Sequence, residues 1–232
     1  MLLFSSLLLG CTQEYPLEPT ITPSITPSTV ANTSTPIPTA TALPLSARKY
    51  PYLIMTGDPA SLKICWQFFA PADAVLLWGL DDSYGTGSEV VPANAVDGPT
   101  CVLLTGLQSA TQYHYVLRSN SSEYKSSFTT PPDSNSTDLI FWGYSDTQSN
   151  QDVHDAIDAS ILKEIGDDPY RQTFVFDAGD LMDNASEESL QENEFDARRI
   201  NIVELSSRLP RINAMGNHDG TKLFIKYYPY SY

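Results

Sequence analysis

Three short apolar runs, each breaking off at a cluster of oxygen-bearing side chains, constrain the fold of this chain more than anything else in it. Leu139-Ile140-Phe141-Trp142-Gly143-Tyr144-Ser145-Asp146-Thr147-Gln148 ends in Asp-x-Gln. Phe174-Val175-Phe176-Asp177-Ala178-Gly179-Asp180-Leu181-Met182-Asp183-Asn184 ends in Gly-Asp-x-x-Asp. Arg211-Ile212-Asn213-Ala214-Met215-Gly216-Asn217-His218-Asp219 ends in Gly-Asn-His-Asp. Runs this short and this rich in aromatic and aliphatic residues read as buried parallel strands. Such strands deliver side chains to their carboxyl edge, where open α/β sheets bind ligands. Helix-period segments separate them. Residues 151–165 place Val153, Ile157, Ile161, Leu162 and Ile165 on one face, with Asn150 as cap. His154 flanks that face, either turned toward the strand ends or solvated. Residues 187–209 are acidic at the start (Glu187, Glu188, Glu192) and basic toward the end (Arg198, Arg199, Arg208), as the helix dipole favours. The alternation predicts βα units with right-handed crossovers.

The polar residues at the strand ends are of one chemical kind. Asp146, Asp180 and the Asn217 amide are hard oxygen donors, with Gln148 and His218 beside them. Oxygen plus imidazole suits Mn, Fe, Zn or Mg. The order Asp-x-(His or Gln), Gly-Asp-x-x-Asp, Gly-Asn-His-Asp, with Asp146, Asp180 and Asn217 spaced 34 and 37 residues apart, resembles the calcineurin-like metallophosphoesterases. Within them it is most similar to the purple acid phosphatase-like branch, because of the sandwich that precedes it (below). The resemblance implies hydrolysis of phosphate esters by a dinuclear centre of two divalent or trivalent ions (Fe, Mn, Zn or Mg). Asp180 would bridge both ions, Asp146 would bind the first and Asn217 the second. His218 would contact the phosphoryl oxygen or protonate the leaving group, with Asp219 helping to set its orientation. The ions would clamp the phosphoryl group and acidify a bridging water.

The sequence departs from that pattern at three places. Gln148, a weaker neutral donor, stands where many such enzymes have His. Asp183 stands where purple acid phosphatases have an iron-ligating Tyr, so the resemblance implies no mixed-valence iron pair; Asn184 beside it reads as a loop or helix cap. The family pattern continues with a further His-bearing strand and Gly-His-x-His, yet His114 and His154 are the only histidines besides His218. The expectation is therefore an amino-terminal part of a longer protein, with both metal sites incomplete and a half-sheet that leaves an edge and an apolar face open. The competing expectation, from a different class, is a non-catalytic cell-surface binding module with a degenerate phosphoesterase half.

Upstream the pattern changes to short strands with turn residues between them: 52–56, 61–69, 74–80, 89–92, 101–107, 112–119 and 123–129. Seven short antiparallel strands predict a sandwich. Leu62, Ile64, Trp66 and Phe68 alternate inward, which makes Trp66 the core aromatic. Leu107-Gln108-Ser109-Ala110-Thr111-Gln112-Tyr113 resembles the Leu-x-Pro-x-Thr-x-Tyr corner of fibronectin type III domains, with Ser109 in the place of Pro. The fold class expected is an all-β sandwich, fibronectin type III-like, at 48–131, followed by the N-terminal half of an α/β metallophosphoesterase domain at 138–232. Cys65 and Cys101 fall outward on neighbouring strands; a disulfide in an exported protein and two free thiols are both compatible with that placement.

The first 47 residues are of another kind. Residues 1–11 are an apolar run closing in Leu8-Leu9-Gly10-Cys11, too short to span a bilayer comfortably and similar to a bacterial lipoprotein signal, although no Lys or Arg precedes it. Lipidation would fall on Cys11 and anchor the protein to the membrane. Residues 12–47 repeat Thr, Ser and Pro and read as an extended linker. Together they point to export, to a bacterial cell surface or periplasm. With 13 Lys+Arg against 28 Asp+Glu, net −15, the chain repels nucleic acid, which is excluded as a partner. A phosphate-ester substrate would also be repelled unless bound metal reverses the local field.

Overall fold

The computed structural model describes residues 47–93, 96–120, 122–137, 139–168, 171, 173–182 and 199–230. The signal, Cys11, nearly all of the linker, Asp183, Asn184 and the first part of the second expected helix lie outside the described residues.

Seven strands open the described chain: β1 (Ala47–Met55), β2 (Leu62–Phe68), β3 (Ala74–Gly79), β4 (Gly87–Val91), β5 (Thr100–Leu104), β6 (Gln112–Ser119) and β7 (Ser122–Thr129). β4, β3, β6 and β7 form one antiparallel sheet in that order, and β5, β2 and β1 pair antiparallel in the other. Alternating residues of both sheets meet in one core that includes Leu53, Ile64, Trp66, Leu76, Tyr115 and Phe128. Trp66 is only 1% exposed, and Tyr113 stacks on Phe128 with ring centres 5.6 Å apart. The Tyr113 hydroxyl accepts the Gln108 N–H at 3.0 Å. That bond ties the start of β6 to the turn before it, as the Leu107–Tyr113 motif leads one to expect.

The second sheet does not stop at β1. β8 (Trp142–Tyr144), β9 (Val175–Asp177) and β10 (Arg211–Asn213) are parallel to one another. β10 pairs in parallel with β1 through Ile54 opposite Arg211, so a single six-stranded sheet runs β5-β2-β1-β10-β9-β8. The edge that the sequence leaves open on β10 is therefore occupied by β1, and β8 is the outer edge. β8 is also shorter than its apolar run. Leu139, Ile140 and Phe141 precede it about half exposed (49%, 46% and 52%), since its one neighbour, β9, begins only at Val175 opposite Trp142.

Two helices cover one face of the parallel strands: α1 (Gln151–Ile165) and α2 (Ile200–Arg208). Ile161, Ile165, Leu205 and Leu209 pack on Val175, with Trp142 and Tyr144 alongside. α2 is fastened to the sandwich at Ser207. Its carbonyl accepts the Tyr115 hydroxyl at 2.9 Å and the Ser126 hydroxyl at 3.1 Å, and its Oγ accepts the Tyr124 hydroxyl at 2.8 Å. Burial pushes the Tyr124 phenol up to about 12, so it remains a donor across the ordinary pH range.

α3 (Thr221–Tyr227) and the tyrosines after it lie on the opposite face. Phe224, Tyr227 and Tyr228 pack on Tyr52, Ile54 and Cys65, the residues of β1 and β2 that point away from the sandwich core. Tyr52 donates its hydroxyl to the Tyr227 carbonyl at 2.8 Å, and Lys63 donates to the Pro229 carbonyl. Cys65 faces outward from the sandwich, as alternation predicts, but it is fully covered there (0% exposed). It is directly opposite Cys101 in the ladder, and the two are joined as a disulfide across 4.0 Å between Cα atoms.

Two local expectations for α1 change. Asn150 is at the N-cap position, but with φ 55° and no side-chain bond to the helix; its carbonyl instead accepts the N–H groups of Val153 and His154. The face turned to the sheet is His154, Asp158, Ile161 and Ile165, while Val153 and Ile157 are 59% and 43% exposed. His154 is thus buried rather than solvated. Its ring packs edge-on against Tyr144 at 5.2 Å.

Replacing Tyr113 by Phe removes the acceptor of the Gln108 N–H while keeping the ring. Urea unfolding of Tyr113→Phe is expected to show a loss of about 1 kcal/mol; an unchanged midpoint would mean that the corner bond contributes nothing to stability.

Candidate metal centre

The loops after β8, β9 and β10 continue the sheet's backbone pairing past the strand ends. Ala178 N–H donates to the Tyr144 carbonyl at 2.9 Å, and Ala214 N–H to the Asp177 carbonyl at 2.8 Å. One step further, Asp146 N–H reaches the Gly179 carbonyl and Gln148 N–H the Asp180 carbonyl, both at 3.0 Å. His218 N–H then donates to Asp180 Oδ1 at 2.9 Å. Asp146, Gln148, Asp180 and the Asn217-His218 pair, far apart in sequence, are in this way carried to the same edge of the sheet.

Close backbone approach makes this possible. A Cβ at Gly179 would lie 2.6 Å from Gly216 N, and one at Gly216 would lie 2.1 Å from Asp180 Oδ1. Gly179 has φ 111°, and both Asp146 and Asp180 adopt φ 59°. Left-handed backbone is uncommon outside glycine, least so for Asp and Asn, and persists where surrounding bonds over-determine it. Those bonds are present. Asp177 Oδ1 accepts the Gly179 N–H at 3.0 Å. Ser145 Oγ donates to Asp146 Oδ2 at 2.6 Å. Gln151 Nε2 donates to the Thr147 and Gln148 carbonyls at 3.0 and 3.1 Å, which secures the turn at the start of α1.

Asp146, Asn217 and His218 are exposed; Gln148 and Asp180 are half-buried. Gln148 Oε1 is buried and has no hydrogen-bond partner among the described residues. Among the described residues, no three His, Cys, Asp or Glu side chains converge in a group that could hold a metal ion. The oxygen donors present are the Asp146 and Asp180 carboxylates, the Asn217 amide and the orphaned Gln148 Oε1. As a chemical set they fit part of the shell of a hard cation. Asp219 is part of the same network. Its carboxylate accepts backbone N–H groups from Asp180, Leu181, Met182 and Gly216.

A buried polar cluster lies behind this edge. His154 Nε2 is 3.4 Å from Asp158 Oδ2 on α1, and the Arg211 guanidinium of β10 is over the Tyr144 ring at 5.9 Å. Burial first, and then the positive charge of Arg211, lower the His154 pKa from its ordinary value near 6.5 to about 3; Asp155 opposes that shift and Arg199 adds to it. His154, buried against Tyr144 and Asp158, is neutral at ordinary pH.

Sequence reasoning missed Asp177 and the partners of Asp219. An Asp two residues before a Gly is a turn-forming signal that could have marked Asp177. The N–H groups around Asp219 are backbone and carry no sequence signal.

No family model matches the sequence, and neither does any curated protein. Among solved structures, the chain is similar to a purple acid phosphatase from seeds of yellow lupin (Lupinus luteus), with a TM-score of 0.54 at 15% identity, over 73% of this chain and 35% of that one. A structure of PhoD aligns over 73% of this chain and 40% of that one, with a TM-score of 0.48 at 13% identity. The fibronectin type III domain of the human collagen alpha-1(XX) chain aligns over 37% of this chain and 89% of that one, with a TM-score of 0.27 at 19% identity. The likeness to the lupin enzyme is one of fold alone. This chain spans about a third of that enzyme's length (35%).

Two outcomes are expected. Gly179→Ala should cost about 1–3 kcal/mol from its backbone conformation alone, more with the clash at Gly216, and urea unfolding measures it. The His154 linkage has a definite sign. Its folded pKa is depressed, so the stability it contributes is full above about pH 6.5 and falls as the pH drops toward about 3. In that window the urea midpoint of the native chain should fall more steeply than that of His154→Gln; equal slopes would place the charge change elsewhere.

Proposed function

We propose that this chain is part of an exported metallophosphoesterase of the calcineurin-like, purple acid phosphatase-like kind: a fibronectin type III-like sandwich leading into a phosphoesterase sheet. The observation that carries the reading is the set of direct hydrogen bonds that brings the loops bearing Asp146, Gln148, Asp180, Asn217 and His218 to one strand edge. The fold shared with the lupin enzyme supports it.

Asp146, Gln148, Asp180 and Asn217 would hold the two metal ions. A bound metal supplies a Lewis acid that polarises a phosphoryl oxygen and lowers the pKa of water. The chain's own residues bind and orient. Asp180 accepts the His218 N–H and so fixes the backbone from which the imidazole projects. His218, exposed beside the donors, is placed to contact a phosphoryl oxygen or pass a proton to a leaving group. The substrate is a phosphate ester, mono- or diester. Export is supported by the Leu8-Leu9-Gly10-Cys11 sequence, with the lipid anchor on Cys11, and by the Cys65–Cys101 disulfide, which suits an oxidising compartment.

Calorimetric titration of the chain with Mn²⁺ and Zn²⁺ tests the reading. The native chain is expected to bind and Asp180→Ala to lose binding altogether, and the natural gene product should hydrolyse p-nitrophenyl phosphate only with metal present. An Asp180→Ala protein that keeps both its metal and its activity removes the phosphoesterase reading. Absence of any metal binding by the natural product favours the non-catalytic surface module.

A further inference from the structure

We propose that Asp219 is a positioning residue that fixes where the Asp180 carboxylate stands, by clasping the loop after β9 to the loop after β10. Its two oxygens are fully occupied. Oδ2 accepts Asp180 N–H at 2.9 Å and Gly216 N–H at 2.8 Å; Oδ1 accepts Leu181 N–H at 2.8 Å and Met182 N–H at 3.1 Å. An ionised carboxylate has about four lone-pair directions, and all are spent on backbone donors. Asp219 is 7% exposed, so these charge-assisted bonds are shielded from water and strong.

The geometry explains why such a clasp belongs here. Asp180 stands at φ 59° directly after Gly179 at φ 111°, a conformation that the chain does not adopt unaided. Three consecutive N–H groups, from Asp180 to Met182, turn toward one point in this conformation, and a single carboxylate fills that point. The fourth bond, from Gly216, brings in the other loop. That places Asp180 Oδ1 against Gly216, where no Cβ would fit, and within reach of the His218 N–H at 2.9 Å. The clasp is built from protein alone, so the carboxylate is held in position before any ligand arrives. Only the consequence for metal affinity rests on the metal-centre reading; the clasp itself does not.

Residue-resolved hydrogen exchange on the metal-free full chain, combined with Zn²⁺ titration, is the test. The amides of Asp180, Leu181, Met182 and Gly216 are expected to be protected in the native protein. In Asp219→Asn two of the four N–H groups would face an amide NH₂ instead of an acceptor. Those four amides should then exchange at least about tenfold faster while the amides of β6 keep their protection, and Zn²⁺ affinity should fall by about tenfold or more. His218→Ala should leave all four amides protected. Four unprotected amides in the native protein overturn the clasp even if Asp219→Asn does not fold. Unchanged exchange in Asp219→Asn, or an equal loss of protection at β6, overturns it as well. A native chain that takes up no Zn²⁺ removes the metal-centre reading, whereas the amide pattern alone decides the clasp.

Discussion

Strand β1 has a partner on all four sides, and the rest of the structure depends on that. Its edges pair with β2 and β10. One of its faces gives Leu53 to the sandwich core, and the other gives Tyr52 and Ile54 to the layer under α3. A strand buried on both faces reads as an unbroken apolar run rather than an alternation, and Tyr50-Pro51-Tyr52-Leu53-Ile54-Met55 is such a run. Register shifts in the β1–β2 ladder fall between Ala47 and Tyr52, around Pro51, which has no N–H to give a ladder. The sandwich and the parallel strands are thus one sheet, and the position of β10 is inherited from a strand more than 150 residues earlier.

From that fixed strand the site is assembled by exclusion as much as by attraction. Gly179 and Gly216 lack side chains, which lets two loops touch through their backbones, and the resulting contact leaves Asp180 only one place to be. The aspartates at the strand ends sit in left-handed backbone that a sheet tolerates poorly. They are held by short bonds from Ser145, Asp177, Gln151 and Asp219 rather than by apolar packing. A rigid scaffold with polar restraints at its rim suits a site whose donors must face outward yet hold a geometry.

Much of this was legible in the sequence. The seven strands, Trp66 in the core and the corner at Tyr113 follow from period and turn residues, which are local signals. So do the three strand ends, because an apolar run that stops at Gly-Asp or Gly-Asn-His-Asp shows its own end. The inward face of α1 was not legible. Counting apolar residues assigns Val153 and Ile157 to the interior, yet His154 and Asp158 take those places because Tyr144 and Arg211 make that part of the interior polar. Arg211 comes from a distant strand, and no window along the chain contains both. The junction of β1 with β10 is equally silent, being a long-range pairing through Ile54 and Arg211 alone.

The aromatic layer formed by Phe224, Tyr227 and Tyr228 also bears on the disulfide. Cys65 is sealed beneath it and Cys101, half-buried, packs at its margin. A reductant cannot reach the sulfur of Cys65 while that layer is in place. Reduction of the native protein would then begin at Cys101, the half-buried partner at the margin of the layer, with Cys65 as the leaving thiolate.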